Sequence, residues 1–123
     1  MPKPLARAPI TVQSSFWLMA GEESLGGRGR IELLERIAET GSIRQAAICM
    51  GMSYRSAWGA VELMNRRVGV TLVTRLTGGR GGGGAILSAD GLALVKAYRR
   101  LEAEHARQVA RLNTRVQALL QGE

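Results

Sequence analysis

Cysteine and histidine occur once each in this 123-residue chain, as Cys49 and His105, and aromatic residues make up only 4% of it. One cysteine excludes an intramolecular disulfide framework and a cysteine-rich zinc site, and the distance to His105 leaves no Cys/His catalytic pair close in sequence. No metal site is therefore expected. Cys49, between Ile48 and Met50, reads as buried core, and His105 as a packed or interface histidine. With a hydrophobic fraction of 46% and so few aromatics, the core is aliphatic and helix-friendly, which excludes an all-β architecture. No apolar run approaches the roughly 20 residues of a membrane span. Lys3 and Arg7 at the N-terminus lead into no long apolar stretch with a cleavage site, so the chain reads as cytoplasmic with no membrane partner. Lysine is also scarce. Only Lys3 and Lys96 among 17 basic residues are lysine, and against 10 acidic residues the net charge is +7. A surplus of arginine on one small domain selects a polyanionic partner, nucleic acid ahead of a membrane surface.

Residues 1–9 contain three prolines and read as a flexible tail. From Ile10 to Met19 apolar and polar residues alternate with a period near two, which predicts one strand. A loop follows at Gly26–Gly29. Ile31, Leu34, Ile37 and Ala38 then recur at helical spacing, and that helix stops at Gly41. Ser42 with Gln45 three positions later forms the capping-box pattern, which starts a second helix one residue after the first ends. That helix is short and ends at Gly51. A third begins at Ser53 and runs to about Val68. Leu72, Val73 and Leu76, then the glycines of 78–84 around Arg80, then Ala85, Ile86 and Leu87 predict a hairpin with a long tip. Ser88 caps a final helix to about residue 120, on which Tyr98, Leu101, His105, Val109, Leu112, Val116 and Leu119 step by three and four. A helix that long wants a partner.

Two helices crossing steeply need small side chains at their contact, and a glycine suits the turn between them. Ala46, Ala47, Gly51, Ala57, Ala60 and Val61 supply both, so about 42–68 reads as a helix-turn-helix and the hairpin at about 71–87 as its wing. Residues 41–84 hold six arginines (Arg44, Arg55, Arg66, Arg67, Arg75 and Arg80) against Glu62 alone, a net of +5. Ser53, Tyr54, Arg55, Ser56 and Gly59 lie early on the third helix at positions the core does not need, and are candidates to meet base edges, with Arg55 the best donor. Ser53 doubles as the helix cap, and Trp58 reads as core. Arg44, Arg75 and Arg80 are candidate DNA contacts beside them, Arg75 and Arg80 to phosphates. The glycine-rich 77–84 lacks the Gly-Lys-Ser/Thr ending of a phosphate loop and does not open a helix, which excludes a nucleoside-triphosphate site. Asp90 is a helix-start charge without a partner carboxylate, and no enzyme signature is present. Leu101, Val109, Leu112, Val116 and Leu119 form the candidate dimerisation stripe.

Gly41-Ser42-Ile43 with Ala46-Ala47, then Met52-Ser53-Tyr54-Arg55-Ser56-Ala57-Trp58, Met64-Asn65, and Thr77-Gly78-Gly79-Arg80-Gly81-Gly82-Gly83-Gly84-Ala85 resemble the DNA-binding domain of the ModE-type molybdate-responsive regulators, and more distantly the winged N-terminal domain of LysR-type regulators. The similarity covers roughly Gly29 to Arg107. It implies a winged helix-turn-helix dimer on operator DNA, with contacts through Ser53, Tyr54, Arg55, Ser56, Arg75 and Arg80. The small β-barrel molybdate-binding domains of that family have no counterpart before Glu123, so no cofactor is expected and any oxyanion response would be indirect.

The expected fold is mainly α with a small β wing, a winged helix-turn-helix domain over 10–123 with a dimerisation helix at about 88–120. The expected function is sequence-specific transcription regulation by a homodimer on palindromic double-stranded DNA. Two alternatives stand beside it: a sequence-tolerant architectural DNA binder, and an interaction module that partners a separate sensor protein.

Overall fold

A computed structural model describes residues 8–77 and 83–122, and its elements run β1 (Leu18–Ala20), β2 (Glu23–Gly26), α1 (Arg28–Thr40), α2 (Ile43–Cys49), α3 (Tyr54–Val68), β3 (Val73–Arg75), β4 (Ala85–Leu87) and α4 (Ala89–Leu120). The chain falls into two compact units, Trp17–Tyr98, and Met1–Phe16 with Arg99–Glu123. The tail residues 1–7 and the wing tip 78–82, with Arg80, lie outside the described residues.

In the larger unit the apolar periodicity of α1 buries Ile31, Leu33, Leu34 and Ile37. These pack with Ile43, Ala46 and Ala47 of α2, Ala57, Val61 and Met64 of α3, Leu72, Val73 and Ala85 at the wing, and Tyr98 of α4. The core is aliphatic, as its composition predicts. Removing one of its large side chains, Leu34 for instance, costs about 2–5 kcal/mol. The exposed face of α1 is closed on itself, because Arg36 pairs with Glu32 and Glu39. The hydrogen bond to Glu39 and that carboxylate's charge hold the Arg36 guanidinium above its ordinary pKa.

Three local readings are corrected. The loop read at Gly26–Gly29 shrinks to Gly27, because β2 of the hairpin β1–β2 takes in Gly26 and α1 begins at Arg28, earlier than its first apolar residue suggests. The capping box at Ser42 forms by half: Ser42 Oγ accepts the Gln45 N–H at 3.1 Å, while the Ser42 N–H goes to Thr40 Oγ1 instead of back to the glutamine. The strand expected at Ile10–Met19 is strand only from Leu18 onward.

Residues 10–16 belong to the smaller unit, where their alternation has a different cause. The Val12 N–H donates to Asn113 Oδ1 at 2.7 Å and the Val12 carbonyl accepts from Asn113 Nδ2 at 3.2 Å, so one side-chain amide plays the part of a neighbouring strand. Gln117 Nε2 donates to the Ile10 carbonyl, Ser14 Oγ meets His105 Nε2 at 2.8 Å, and the Phe16 ring lies 5.0 Å from the His105 ring. Two extended residues advance about 6.6–6.8 Å and four helical residues about 6 Å. Every second residue of this segment, from Ile10 to Phe16, therefore meets one row of α4, at Gln117, Asn113 and His105. This strap satisfies the period of two without a sheet. His105 is packed, as expected.

The wing hairpin pairs Val73 with Leu87, Thr74 with Ile86 and Arg75 with Ala85. Ala85 N–H also donates to the Gly41 carbonyl at 2.8 Å, which fixes the wing to the corner between α1 and α2. Gly41 turns that corner at φ 70°, a conformation that favours glycine.

Candidate nucleic-acid interface

The turn between α2 and α3 is specified by its own backbone. The Met52 N–H donates to the Ala47 carbonyl and the Gly51 N–H to the Ile48 carbonyl, with Gly51 at φ +65°, which is the Schellman closure of a helix. Ser53 then opens α3, its hydroxyl accepting the Ser56 N–H at 3.0 Å. Ala46, Ala47 and Ala57 are at most 2% exposed where the two helices cross. A helix-turn-helix follows.

With Ala57, Val61 and Met64 turned inward, the opposite row of α3 is Arg55, Gly59, Glu62 and Arg66, all exposed, and Ser56 beside them is exposed too. Arg55 has no partner among the described residues. Ser53 and Ser56 bond to each other through their hydroxyls at 2.9 Å as well as through the cap, so these two are committed to the helix start.

Tyr54 and Trp58 lie one turn apart on the flank of this row, half-buried. The Arg44 guanidinium of α2 sits 4.6 Å from the Tyr54 ring centre. Arg75 of β3 sits 4.3 Å from the Trp58 ring centre, and its Nη2 donates to the Tyr54 hydroxyl at 3.1 Å. Trp58 is thus no core residue, contrary to the sequence reading: its face is the platform for an arginine. Beside this cluster a depression of about 220 Å³ is lined by Ser42, Arg44, Gln45, Tyr54, Arg75 and Gly84 among others. Of the candidates, Arg44, Tyr54 and Arg75 converge, Arg55 and Gly59 lie on the outward row, and Arg80 lies outside the described residues.

Cys49 is exposed, not core, because the seven-residue α2 buries only Ile43, Ala46 and Ala47 and turns Arg44, Gln45, Ile48 and Cys49 outward. No group of three metal-ligating side chains occurs among the described residues. No helix of the described residues is long and apolar enough to cross a membrane. Of the α4 stripe, Leu101, Leu112 and Leu119 are 43–50% exposed, whereas Val109 and Val116 are half-buried.

Sequence reasoning quoted Asn65 only as part of the family resemblance and gave it no role. Its Oδ1 accepts the Leu72 N–H at 2.8 Å and so ties the end of α3 to the wing. Its place near the end of a helix, before a short strand, was the signal that could have found this role.

The family model of the bacterial regulatory helix-turn-helix proteins of the lysR family matches residues 29–92. The chain is 42% identical over 94 residues to the molybdenum transport protein ModE of Azotobacter vinelandii, covering 76% of this chain and 35% of that protein. It is 51% identical over 69 residues to the DNA-binding transcriptional dual regulator ModE of Escherichia coli K12, covering 56% of this chain and 26% of that protein. It thus spans about a third or less of these relatives' length. Among solved structures, a CbnR DBD–DNA complex superposes with a TM-score of 0.55 at 23% identity, over 73% of this chain and 95% of that one. Full-length LysG of Corynebacterium glutamicum gives a TM-score of 0.51 at 24% identity, over 71% of this chain and 28% of that one. Both share the winged helix fold described above. The matched segment holds the helix-turn-helix, the wing and the start of α4, and by it the chain belongs to the LysR family of bacterial regulatory helix-turn-helix proteins.

Proposed function

We propose that this chain is a sequence-specific DNA-binding module of a transcription regulator, acting as a homodimer on a palindromic operator. The observation that carries this reading is the outward row of α3. Arg55, Ser56 and Gly59 stand exposed on its first half, flanked by Arg44 from α2 and Arg75 from the wing. A helix of this kind enters the major groove with its N-terminal residues against base edges. Arg55 has the reach and the forked donors to take a guanine O6 and N7 together. Gly59, without a side chain, lets the helix come close to the groove floor, and Arg44 and Arg75, gathered at Tyr54, meet the backbone beside it. The relative from Escherichia coli is named a DNA-binding regulator, and CbnR was crystallised with its DNA, which supports the same partner here.

Dimerisation rests on α4. Leu101, Leu112 and Leu119 expose their side chains on one face, about three and two turns apart, and a second copy burying them would gain roughly 25 cal/mol for each Å² covered. Two modules would then address two half-sites about one helical turn apart.

The test is a titration of the full chain against a duplex bearing its preferred sequence and a scrambled duplex of the same composition. A specificity ratio of about 10³ or more at physiological salt is expected. Equal affinity for both would favour an architectural binder instead.

A further inference from the structure

Arg44 and Arg75 reach Tyr54 from different elements, one over the ring and the other onto its hydroxyl. Neither guanidinium has a carboxylate partner among the described residues, in contrast to Arg36 and Arg67, which are paired. Two cations gathered at one aromatic side chain repel each other, and an exposed cation–π contact offsets little of that. Trp58 adds a second platform, its ring centre 4.3 Å from the Arg75 guanidinium carbon, while the Tyr54 hydroxyl takes one of that guanidinium's donors. Two positive charges are thus held in place with no counter-ion among the described residues.

We propose that Arg44 and Arg75 form a clamp for a phosphodiester oxyanion of duplex DNA, and that Tyr54 is its positioning residue and not a reader of bases. The inference rests on the DNA-binding reading above and assigns that site a second, sequence-blind part. The depression beside the clamp, about 220 Å³, falls below the roughly 300–1,000 Å³ of pockets that enclose a small-molecule effector, and leaves room for a phosphate group. Its lining supplies further donors. The Ser42 hydroxyl accepts the Gln45 N–H and keeps its own proton to donate. Guanidinium forks match phosphate oxygens in pairs, and a pre-held fork loses less side-chain freedom on binding. A ring hydroxyl that orients one arginine while its face carries the other does both with one residue.

The proposal separates Tyr54 from Arg55 by what each does to sequence preference and to salt dependence. Each phosphate contact contributes about 0.9 to the slope of log affinity against log salt. In the full chain, with preferred and scrambled duplexes titrated between about 50 and 200 mM salt, Tyr54→Leu is expected to weaken both equally. It should reduce the slope by about 1 to 2, with the specificity ratio unchanged. Tyr54→Phe keeps the face under Arg44 and removes only the hydroxyl that Arg75 uses. It is expected to lose about half as much, and as a near-isosteric change it serves where the leucine variant fails to fold. A wild-type slope in both variants overturns the proposal, and so does a loss confined to the preferred duplex, which would make Tyr54 a base contact. Wild-type protein that binds neither duplex would instead overturn the DNA-binding reading. A last arm adds inorganic phosphate at constant ionic strength and follows the Arg75 Nε resonance. A saturating shift there, with duplex slopes unaltered in the variants, would assign the clamp to a free oxyanion and overturn the backbone assignment.

Discussion

Asn65 Oδ1 accepts the Leu72 N–H at 2.8 Å, so a residue in the last turn of α3 also fixes where the wing begins. Asn65 Nδ2 in turn donates to the Val73 carbonyl at 3.4 Å. Replacing it by leucine leaves a buried backbone N–H without a partner, at a cost of about 1–3 kcal/mol. Urea denaturation of Asn65→Leu measures this. Asn65→Asp, which keeps the acceptor, should lose less, and equal stability of both variants with wild type would contradict the role given to the amide.

Arg55 is exposed and without a partner among the described residues, so Arg55→Ala should leave folding unchanged within about 0.5 kcal/mol. Its effect belongs on DNA. A bidentate base contact predicts that discrimination between preferred and scrambled duplexes falls by about 1–3 kcal/mol. Equal losses on the two duplexes would reduce Arg55 to a phosphate contact.

Gly91, in the first turn of α4, is buried with no room for a side chain, since a Cβ there would overlap the Leu72 carbonyl oxygen. Gly91→Val therefore forces backbone to move, and a loss of about 1–3 kcal/mol is expected for such overpacking. The denaturation midpoint reads it directly. A variant as stable as wild type would show that α4 does not pack against the wing base as described.

The strap of residues 10–16 is bound by side chains of α4, among them Asn113, Gln117 and His105. In Asn113→Leu the Val12 N–H loses its acceptor and should exchange with solvent much faster, with the global denaturation midpoint little changed. Unaltered protection at Val12 would mean that the amide of Asn113 is not what holds the strap.

The helices were legible because their signals are local: Ser42 and Ser53 as caps, Gly41 and Gly51 as stops, and small residues at Ala46, Ala47 and Ala57 where two helices must cross. The wing strands were legible from apolar runs on either side of glycines. What escaped was long-range. Nothing in the alternation of Ile10, Val12, Ser14 and Phe16 says whether an extended chain pairs with a strand or with helix side chains 91 to 107 positions away. Cys49 and Trp58 were misplaced for a related reason. Both are ordinarily buried residue types, but α2 is too short to bury more than one stripe, and Trp58 found an arginine from β3 to cover its face. The convergence of Arg44 and Arg75 on Tyr54 had no sequence signal, because three separate elements supply it.

The most direct test of sequence-specific recognition by a dimer is selection of binding duplexes from a random pool by the purified chain at about 150 mM salt, where non-specific phosphate binding is already weakened. An enriched inverted repeat with half-sites about one helical turn apart is the predicted result. A pool that stays random after repeated rounds would contradict it.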